Sequence, residues 1–126
     1  MTVHYHDVGA GEPVLFLHSY RNPAHEIRAK ELVRQEFPQL FVTASHELSQ
    51  EYREYERTST AVANAYVQPV MSGYLGRLEA GLRTGGFACP LFLVTSGGGL
   101  TTVETARRLP VRLVESGPAG GALSPC

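Results

Sequence analysis

A long stretch in the middle of the chain has apolar residues at a regular spacing of four. The repeating positions are Val62, Tyr66, Val70, Tyr74, Leu78 and Leu82. Because an α-helix turns once in about 3.6 residues, this spacing predicts a long helix whose apolar stripe packs into the core. Pro69 lies inside the stretch and lacks a backbone donor, so it is expected to kink or split the helix. Thr58, Ser59 or Thr60 can cap its start, and Gly85-Gly86 supplies a stop.

Short apolar runs on both sides of this helix are typical of buried strands. They are Val14 to His18, Leu40 to Ala44, Leu91 to Val94 and Val111 to Val114, with a further candidate at Thr2 to Val8. Asn22-Pro23 is a good start for a helix from Ala24 to Phe37, since Asn can cap and Pro suits the first helical position. Thr101-Thr102-Val103-Glu104 matches a capping box before a short helix to about Leu109. Strands that alternate with helices predict the α/β class.

Length and charge exclude several kinds of protein. A chain of 126 residues has room for one domain or part of one. Its net charge of −1 provides no positive field, so neither nucleic acid nor an anionic membrane is expected as a partner. Cys89 and Cys126 form neither a disulfide framework nor a metal-binding spacing, which favours a reducing cytoplasm. Met1 to Val8 lacks the features of a signal peptide, and the apolar runs are far shorter than a membrane span.

Two glycine-rich turns are the candidate binding elements, because each follows a predicted strand and leads into a predicted helix. Their candidate cofactor-binding residues are Gly97, Gly98, Gly99, Ser116, Gly117, Gly120 and Gly121. Glycines at such a place let the backbone approach a phosphate, and free amides at a helix start favour an anion. Neither turn has the lysine of a P-loop or the full dinucleotide spacing. Glycines needed only for sharp turns and close packing are the alternative interpretation.

The histidines and the charged run give weaker signals. His4 and His6 would share one strand face, but two ligands without a third make an incomplete metal site, so no metal is predicted. The pairs His25-Glu26 and His46-Glu47 are interpreted as structural, solvated or helix-capping residues. The run Glu51, Arg53, Glu54, Glu56 and Arg57 mixes signs at helical spacing, which predicts a solvated, ion-paired face. No catalytic residue is identified from these patterns.

Several blocks, taken together, resemble one known family. They are Leu17-His18-Ser19-Tyr20-Arg21-Asn22-Pro23-Ala24-His25-Glu26, Ser45-His46-Glu47, Arg53 to Thr60, Asn64-Ala65-Tyr66 with Gln68-Pro69-Val70, Ser96 to Leu100, and Glu115 to Gly121. In this order and spacing the chain resembles the hydantoinase A / N-methylhydantoinase / 5-oxoprolinase family, which includes acetone carboxylase subunits. The resemblance covers about residues 14 to 122.

This resemblance implies a partial actin-like (ribonuclease H-like) ATPase fold, with a long kinked helix between alternating strands and helices. It also implies a cytoplasmic enzyme that uses ATP and Mg²⁺ to activate a cyclic amide, such as a hydantoin or 5-oxoproline, or a ketone. A hydantoinase B-type subunit is the implied partner. Gly97 to Gly99 and Ser116 to Gly121 would lie near the nucleotide, and the second block would start the helix that joins the two lobes.

Neither phosphate loop of that family has a counterpart in the 126 residues of this sequence. The first is absent from residues 1 to 13, and the second would follow the Ser116 to Gly121 block. We therefore expect residues 14 to 126 to be a fragment truncated at the interlobe helix. Such a fragment would bind ATP weakly and be inactive alone.

Residues 1 to 13 are an atypical hairpin segment, and residues 3 to 18 resemble the opening hairpin of α/β-hydrolases. In that family a glycine follows the final histidine at the oxyanion hole, whereas Ser19 follows His18 here. The Gly-x-Ser-x-Gly elbow that exposes a nucleophilic serine is also missing. An α/β-hydrolase-like enzyme stays as one alternative. A non-catalytic module that binds a partner subunit through the helix face from Tyr66 to Leu82 is the other.

Overall fold

The computed structural model describes residues 14–15, 22–49 and 52–123, arranged in two compact units. The first unit is Met1–Tyr66 and the second is Val67–Cys126, so the boundary falls within a long helix. The strand predicted at Thr2 to Val8 lies outside the described residues, as does the part of the next predicted strand beyond residue 15. None of the helices in the described ranges is both long and apolar enough to span a membrane.

The first unit combines a short parallel strand pair with helices. Its elements are β1 (Val14–Leu15), α1 (Ala24–Glu36), β2 (Thr43–Ala44), α2 (Ser45–Leu48) and the first half of α3 (Glu54–Thr84). β1 and β2 pair in parallel, with Val14 opposite Thr43. The prediction for α1 is confirmed, and the Asn22 side chain accepts a hydrogen bond from the Ala24 amide at 3.0 Å. The start of α1 thus follows from Asn22-Pro23.

α3 is one continuous helix of 31 residues that runs through Pro69, so of the two outcomes predicted for this proline, a kink or a split, the split does not occur. α3 begins at Glu54, earlier than predicted, so Thr58 and Thr60 lie inside the helix and do not cap it. Their hydroxyls donate to the carbonyls of Glu54 and Glu56. The predicted stop is confirmed. Gly86 has a φ of 87°, and the next amide donates to the Leu82 carbonyl. A left-handed glycine after the last turn is a common helix terminator.

The first four positions of the apolar stripe of α3 are exposed, contrary to the prediction that the stripe packs into the core, whereas Leu78 packs against the core around Leu75. Tyr66 is 83% exposed and Val70 72% exposed. The buried positions of α3 are Arg57, Ala61, Asn64, Ala65, Gln68 and Leu75. Small and polar residues therefore face inward along the first half of this helix. The spacing of the large apolar side chains correctly predicted a helix. It does not determine which face of that helix the neighbouring elements cover.

The second unit contains an antiparallel hairpin followed by short helices. Its elements are β3 (Phe92–Val94), β4 (Leu100–Thr102), α4 (Val103–Arg108), a 3₁₀ helix (Pro110–Leu113) and α5 (Ser116–Leu123). β3 pairs with β4, with Leu93 opposite Thr101. Leu75 of α3 packs with Val103 and Ala106 of α4 in the core of this unit.

Two predictions for the second unit are corrected, and one strand was missed. The strand predicted at Val111 to Val114 is mostly a 3₁₀ helix that begins at Pro110, and β4 was not predicted. The capping residue of α4 is Thr102, whose hydroxyl oxygen accepts from the Thr105 amide. The cap thus lies one residue later than in the predicted box. The described chain is a mixed α/β structure of helices and two small sheets.

Candidate functional site

The first glycine turn closes the β3–β4 hairpin. The Thr95 amide donates to the Gly99 carbonyl at 2.8 Å, and the Gly98 amide donates to the Thr95 carbonyl at 2.9 Å. Gly98 has a φ of 79°, a conformation that side chains with a Cβ adopt at a cost. The turn therefore leads from strand to strand, whereas the sequence predicted a strand-to-helix turn.

We expect Gly98→Ala to lower the free energy of unfolding by about 1 to 2 kcal/mol, because alanine is strained at positive φ. Gly97→Ala is the matched control, since a Cβ at Gly97 meets nothing within 4 Å. That variant should stay within about 0.5 kcal/mol of the parent. Urea denaturation of the two variants measures the difference. Equal effects would show that the turn does not require the left-handed conformation.

The second glycine segment lies beside the first turn. The Ser96 amide and hydroxyl each donate to the Arg112 carbonyl at 2.8 Å, and the hydroxyl also contacts the Val114 carbonyl. These bonds fix the first turn to the backbone that leads into α5. A Cβ added at Gly120 of α5 would approach the Val94 side chain to 3.9 Å. The structure thus brings the two predicted glycine segments together within the second unit.

A cavity of about 360 Å³ opens beside the first turn, with Arg112 among its lining residues. It is lined by Thr95, Ser96, Gly97, Leu100, Thr101 and Arg112. Hydroxyls, a glycine backbone and a guanidinium are groups that suit a phosphate. Sequence reasoning missed Arg112, because it lay within a predicted strand and has no local motif around it.

The start of α5 has two features that suit a ligand-binding helix. Glu115, which directly precedes it, has a φ of 63°, and a non-glycine residue held there stores backbone strain. A Cβ at Gly117 or Gly121 would meet nothing within 4 Å, so close packing does not explain these glycines. Amides in the first turn of a helix favour an anion. The open backbone at Gly117 therefore leaves room for a ligand at the start of α5.

A group of polar and charged side chains is buried in the first unit, around the carboxylate of Glu26. Oε1 of Glu26 accepts from the Ser45 hydroxyl at 2.6 Å and from Arg57 at 3.3 Å. Oε2 accepts from the His46 amide at 2.8 Å and lies 2.7 Å from His46 Nδ1. Glu26 is fully buried, and Arg57 is 1% exposed. We call these four residues the Glu26 cluster.

The predicted role of Arg57 needs correction. Arg57 was assigned to a solvated face but is buried against Glu26 and Ser45. His25, the sequence neighbour of Glu26, is exposed. Glu47 forms an ion pair with Lys30 of α1. Both Glu26 and His46 were noted from the sequence, but the contact that joins them links positions 20 apart, which spacing does not reveal.

Burial alone would raise the pKa of Glu26. The hydrogen bonds from Ser45 and from the amide and ring of His46, with the charge of His46, outweigh burial and lower the pKa below its ordinary value. Glu26 is therefore ionised at neutral pH. Its carboxylate pairs with a buried guanidinium, which is the arrangement needed to keep two charges away from water.

A lowered pKa predicts that acid weakens the folded state. The contribution of Glu26 is fully present above its unfolded pKa of about 4.3 and is lost as the pH falls through the lower folded value. The difference in unfolding free energy between the parent and Glu26→Gln should therefore shrink below pH 4. Urea unfolding measured between pH 7 and pH 3 tests this. A difference that stays constant over this range would show that the carboxylate does not titrate with folding.

Metal binding receives no support from residues 22–49 and 52–123, where no group of three or more His, Cys, Asp or Glu side chains converges. His4 and His6 lie outside the described residues. Ser45 and His46 stand at the start of α2, directly after β2. The carboxyl end of a parallel strand is a frequent position for functional side chains.

Comparison with known proteins gives matches along most of the chain. A family model described as hydantoinase/oxoprolinase matches residues 57–124. The caprolactamase subunit alpha of Pseudomonas jessenii is 42% identical over 106 residues, which are 84% of this chain and 15% of that protein. The 5-oxoprolinase of Saccharomyces cerevisiae is 33% identical over 110 residues, which are 87% of this chain and 8% of that protein. The chain thus spans a small part of these relatives.

The structural comparison agrees with the sequence matches. The crystal structure of the ATP-dependent caprolactamase from Pseudomonas jessenii matches with a TM-score of 0.73 and 44% sequence identity. The match covers 80% of this chain and 15% of that chain. The resemblance identified from the sequence blocks is therefore confirmed by independent comparisons of sequence and structure.

Proposed function

The chain belongs to the hydantoinase/oxoprolinase family, and we propose that it is part of an ATP-dependent enzyme that hydrolyses a cyclic amide. The structural match to an ATP-dependent caprolactamase is the observation that supports this most strongly. The similarity to a 5-oxoprolinase supports the same class of substrate, a carbonyl group bonded to a ring nitrogen. The proposed substrates are hydantoins, 5-oxoproline and related lactams.

We further propose that the glycine segments lie near the nucleotide, within an actin-like ATPase fold. The proposed contacts are Gly97, Gly98, Gly99, Ser116, Gly117, Gly120 and Gly121. Arg112 is added to them because it lines the cavity beside Gly97. ATP with Mg²⁺ would supply activation of the amide carbonyl. The residues of this chain would bind phosphate oxygens through backbone amides and a guanidinium.

A hybrid enzyme tests the function. Residues 14–123 replace the matching segment of the Pseudomonas jessenii caprolactamase subunit alpha, and release of phosphate from ATP is measured with and without caprolactam. Because this segment is 42% identical to its replacement, the hybrid should keep caprolactam-dependent phosphate release. Rates within about tenfold of the parent correspond to roughly 1.4 kcal/mol or less in the barrier.

Two outcomes of the hybrid experiment are informative. Phosphate release that depends on caprolactam supports the proposal for this chain. A hybrid that folds and assembles as the parent does, but releases no phosphate with caprolactam, contradicts it. The matching segment of the yeast 5-oxoprolinase, placed in the same position, is the control for tolerance of the exchange.

A partner subunit is the second candidate role for the exposed face of α3. Tyr66, 83% exposed, and Val70, 72% exposed, are large apolar side chains on the surface of a helix. Tyrosine is common at protein interfaces, and a relative is named as a subunit. We propose a hydantoinase B-type subunit as the partner. In the hybrid, Tyr66→Ser should weaken subunit assembly, measured by sedimentation, and leave the melting temperature unchanged. Unchanged assembly would contradict this role.

A further inference from the structure

We propose that Nε2 of His46 is a proton-accepting site in the first unit, and that Glu26 is the residue that positions it. The proton donor would be a small O–H group, namely water. The identity of the reaction rests on the proposed function, in which water attacks an activated cyclic amide. The proton-accepting site itself rests on the geometry of the Glu26 cluster.

The hydrogen bonds of Glu26 determine which ring nitrogen carries the proton. Oε2 lies 2.7 Å from His46 Nδ1 and accepts from the His46 amide at 2.8 Å. Because the carboxylate is ionised, it can only accept a hydrogen bond, so Nδ1 must be the protonated nitrogen. The lone pair of the neutral ring is therefore on Nε2.

Glu26 is itself held in place on its other oxygen. Ser45 donates to Oε1 at 2.6 Å, and Arg57 donates to the same atom at 3.3 Å. Arg57 also donates to the Ser45 hydroxyl at 2.7 Å. α1, α2 and α3 each supply a member of the cluster, so the direction of the carboxylate is fixed by three elements.

The imidazole of His46 is only partly buried. The His46 side chain is 17% exposed, whereas Glu26 is fully buried. Nε2 of His46 makes no hydrogen bond to any residue in the described ranges. A ring held at Nδ1, whose Nε2 has no partner among the described residues, is the arrangement in which a histidine accepts a proton.

A purely structural role explains less of this geometry. A helix of four residues such as α2 could be capped by a carboxylate that accepts only the His46 amide. Glu26 also binds the ring of His46, and it comes from a residue 20 positions away. The bond to the ring orients the imidazole, which capping does not require.

Two ion pairs surround the ring. Glu26 faces Arg57, and Lys30 of the same helix pairs with Glu47 of α2. The Glu26 carboxylate is the anion in contact with the ring, at Nδ1.

The proposed step balances as follows. The oxygen of water forms a bond to the carbonyl carbon as the carbonyl π electron pair moves onto the carbonyl oxygen, and one proton of the water moves to Nε2 of His46. That electron pair then re-forms the carbonyl as the carbon–nitrogen bond breaks, and the imidazolium returns the proton to the ring nitrogen of the amide. His46 is then neutral again, and Glu26 stays ionised throughout.

Nitrogen NMR of the full chain, with ¹⁵N-labelled histidine, tests the assignment without ATP or lactam. The neutral ring of His46 is expected to have its proton on Nδ1 and none on Nε2. Carbethoxylation, which modifies an unprotonated ring nitrogen, should label His46 at Nε2. Exposed His25 serves as the internal reference for reactivity.

Two variants separate positioning from stability. Ser45→Ala removes a hydrogen bond to Oε1, so it should lower stability but leave the proton of His46 on Nδ1. Glu26→Gln removes the charge, and His46 should then populate both neutral forms and react at least about threefold more slowly. If Glu26→Gln does not fold, the proposal is tested by the position of the His46 proton in the parent and in Ser45→Ala.

The proposal is overturned if the neutral ring of the parent has its proton on Nε2, or if His46 resists carbethoxylation under conditions that modify His25. Since neither readout involves ATP hydrolysis, these results are independent of the hybrid experiment. Failure of the hybrid would contradict the proposed reaction. The NMR result would still test whether Nε2 of His46 is a proton-accepting site.

Discussion

Replacing Glu26 by Gln is expected to lower the free energy of unfolding by about 3 to 5 kcal/mol at neutral pH, because the exchange removes the buried carboxylate that the Arg57 guanidinium contacts. The NH₂ group of glutamine is a donor, so it cannot accept the hydrogen bonds that the glutamate carboxylate accepts. Those bonds include the ones from the Ser45 hydroxyl and the His46 amide. Urea denaturation followed by circular dichroism measures the change.

Glu31→Gln is the matched control for this variant. Glu31 lies on the same helix, but its side chain is 54% exposed and its ion pair with Arg28 is on the surface. Exposed pairs contribute about 1 kcal/mol or less, so this variant should stay close to the parent. Similar effects of Glu26→Gln and Glu31→Gln would contradict the buried ion pair, and with it the Glu26 cluster.

Leu75→Ala is expected to destabilise the second unit by about 2 to 5 kcal/mol, the range for a buried leucine truncated to alanine. Leu75 is 1% exposed and packs with Val103 and Ala106. The shortened side chain would leave a cavity between α3 and α4. The loss is measured from the urea midpoint and slope.

Leu100→Ala removes the same atoms from a position that is 71% exposed in the same unit. It should cost about 0.5 kcal/mol or less, as surface substitutions usually do. A comparable loss from both leucines would contradict the core assigned to this unit.

Val70→Ala extends the test to α3. Val70 belongs to the exposed stripe, so its replacement should also have little effect.

Local signals predicted several elements correctly. Asn22-Pro23 fixed the start of α1, Gly86 ended α3, and Pro118 lies in the first turn of α5. In each case a residue type has a backbone preference that acts within a few positions. β4 was missed, because a turn that contains three glycines can precede a strand as easily as a helix.

The inward face of α3 could not be predicted from periodicity. Tyr66 and Val70 have larger apolar side chains than Ala61 and Ala65, yet the alanines are buried. Small residues allow close approach of the neighbouring elements, and Asn64 adds a hydrogen bond to Thr43 at 3.2 Å. These preferences depend on what packs against the helix.

The two groups of candidate functional residues differ in how easily the sequence reveals them. The glycine segments were visible, because each is a compact run. The Glu26 cluster was hidden, because Glu26, His46 and Arg57 are brought together only by the folding of three helices. The sequence places His46 beside Glu47 in the chain, whereas His46 contacts Glu26 of α1 in the structure. Contacts over 20 or 31 positions carry no local pattern.

Calorimetry tests the proposed nucleotide contacts most directly. Mg·ATP is titrated into the hybrid enzyme and into its Gly117→Ala and Gly81→Ala variants, and the three affinities are compared. Both glycines are in helices, and a Cβ at either position meets nothing within 4 Å, so neither change should disturb the fold. If the start of α5 lies against the phosphates, Gly117→Ala weakens binding by about tenfold, or roughly 1.4 kcal/mol, and Gly81→Ala leaves it unchanged. Equal affinities for the parent and both variants would contradict a nucleotide at the start of α5.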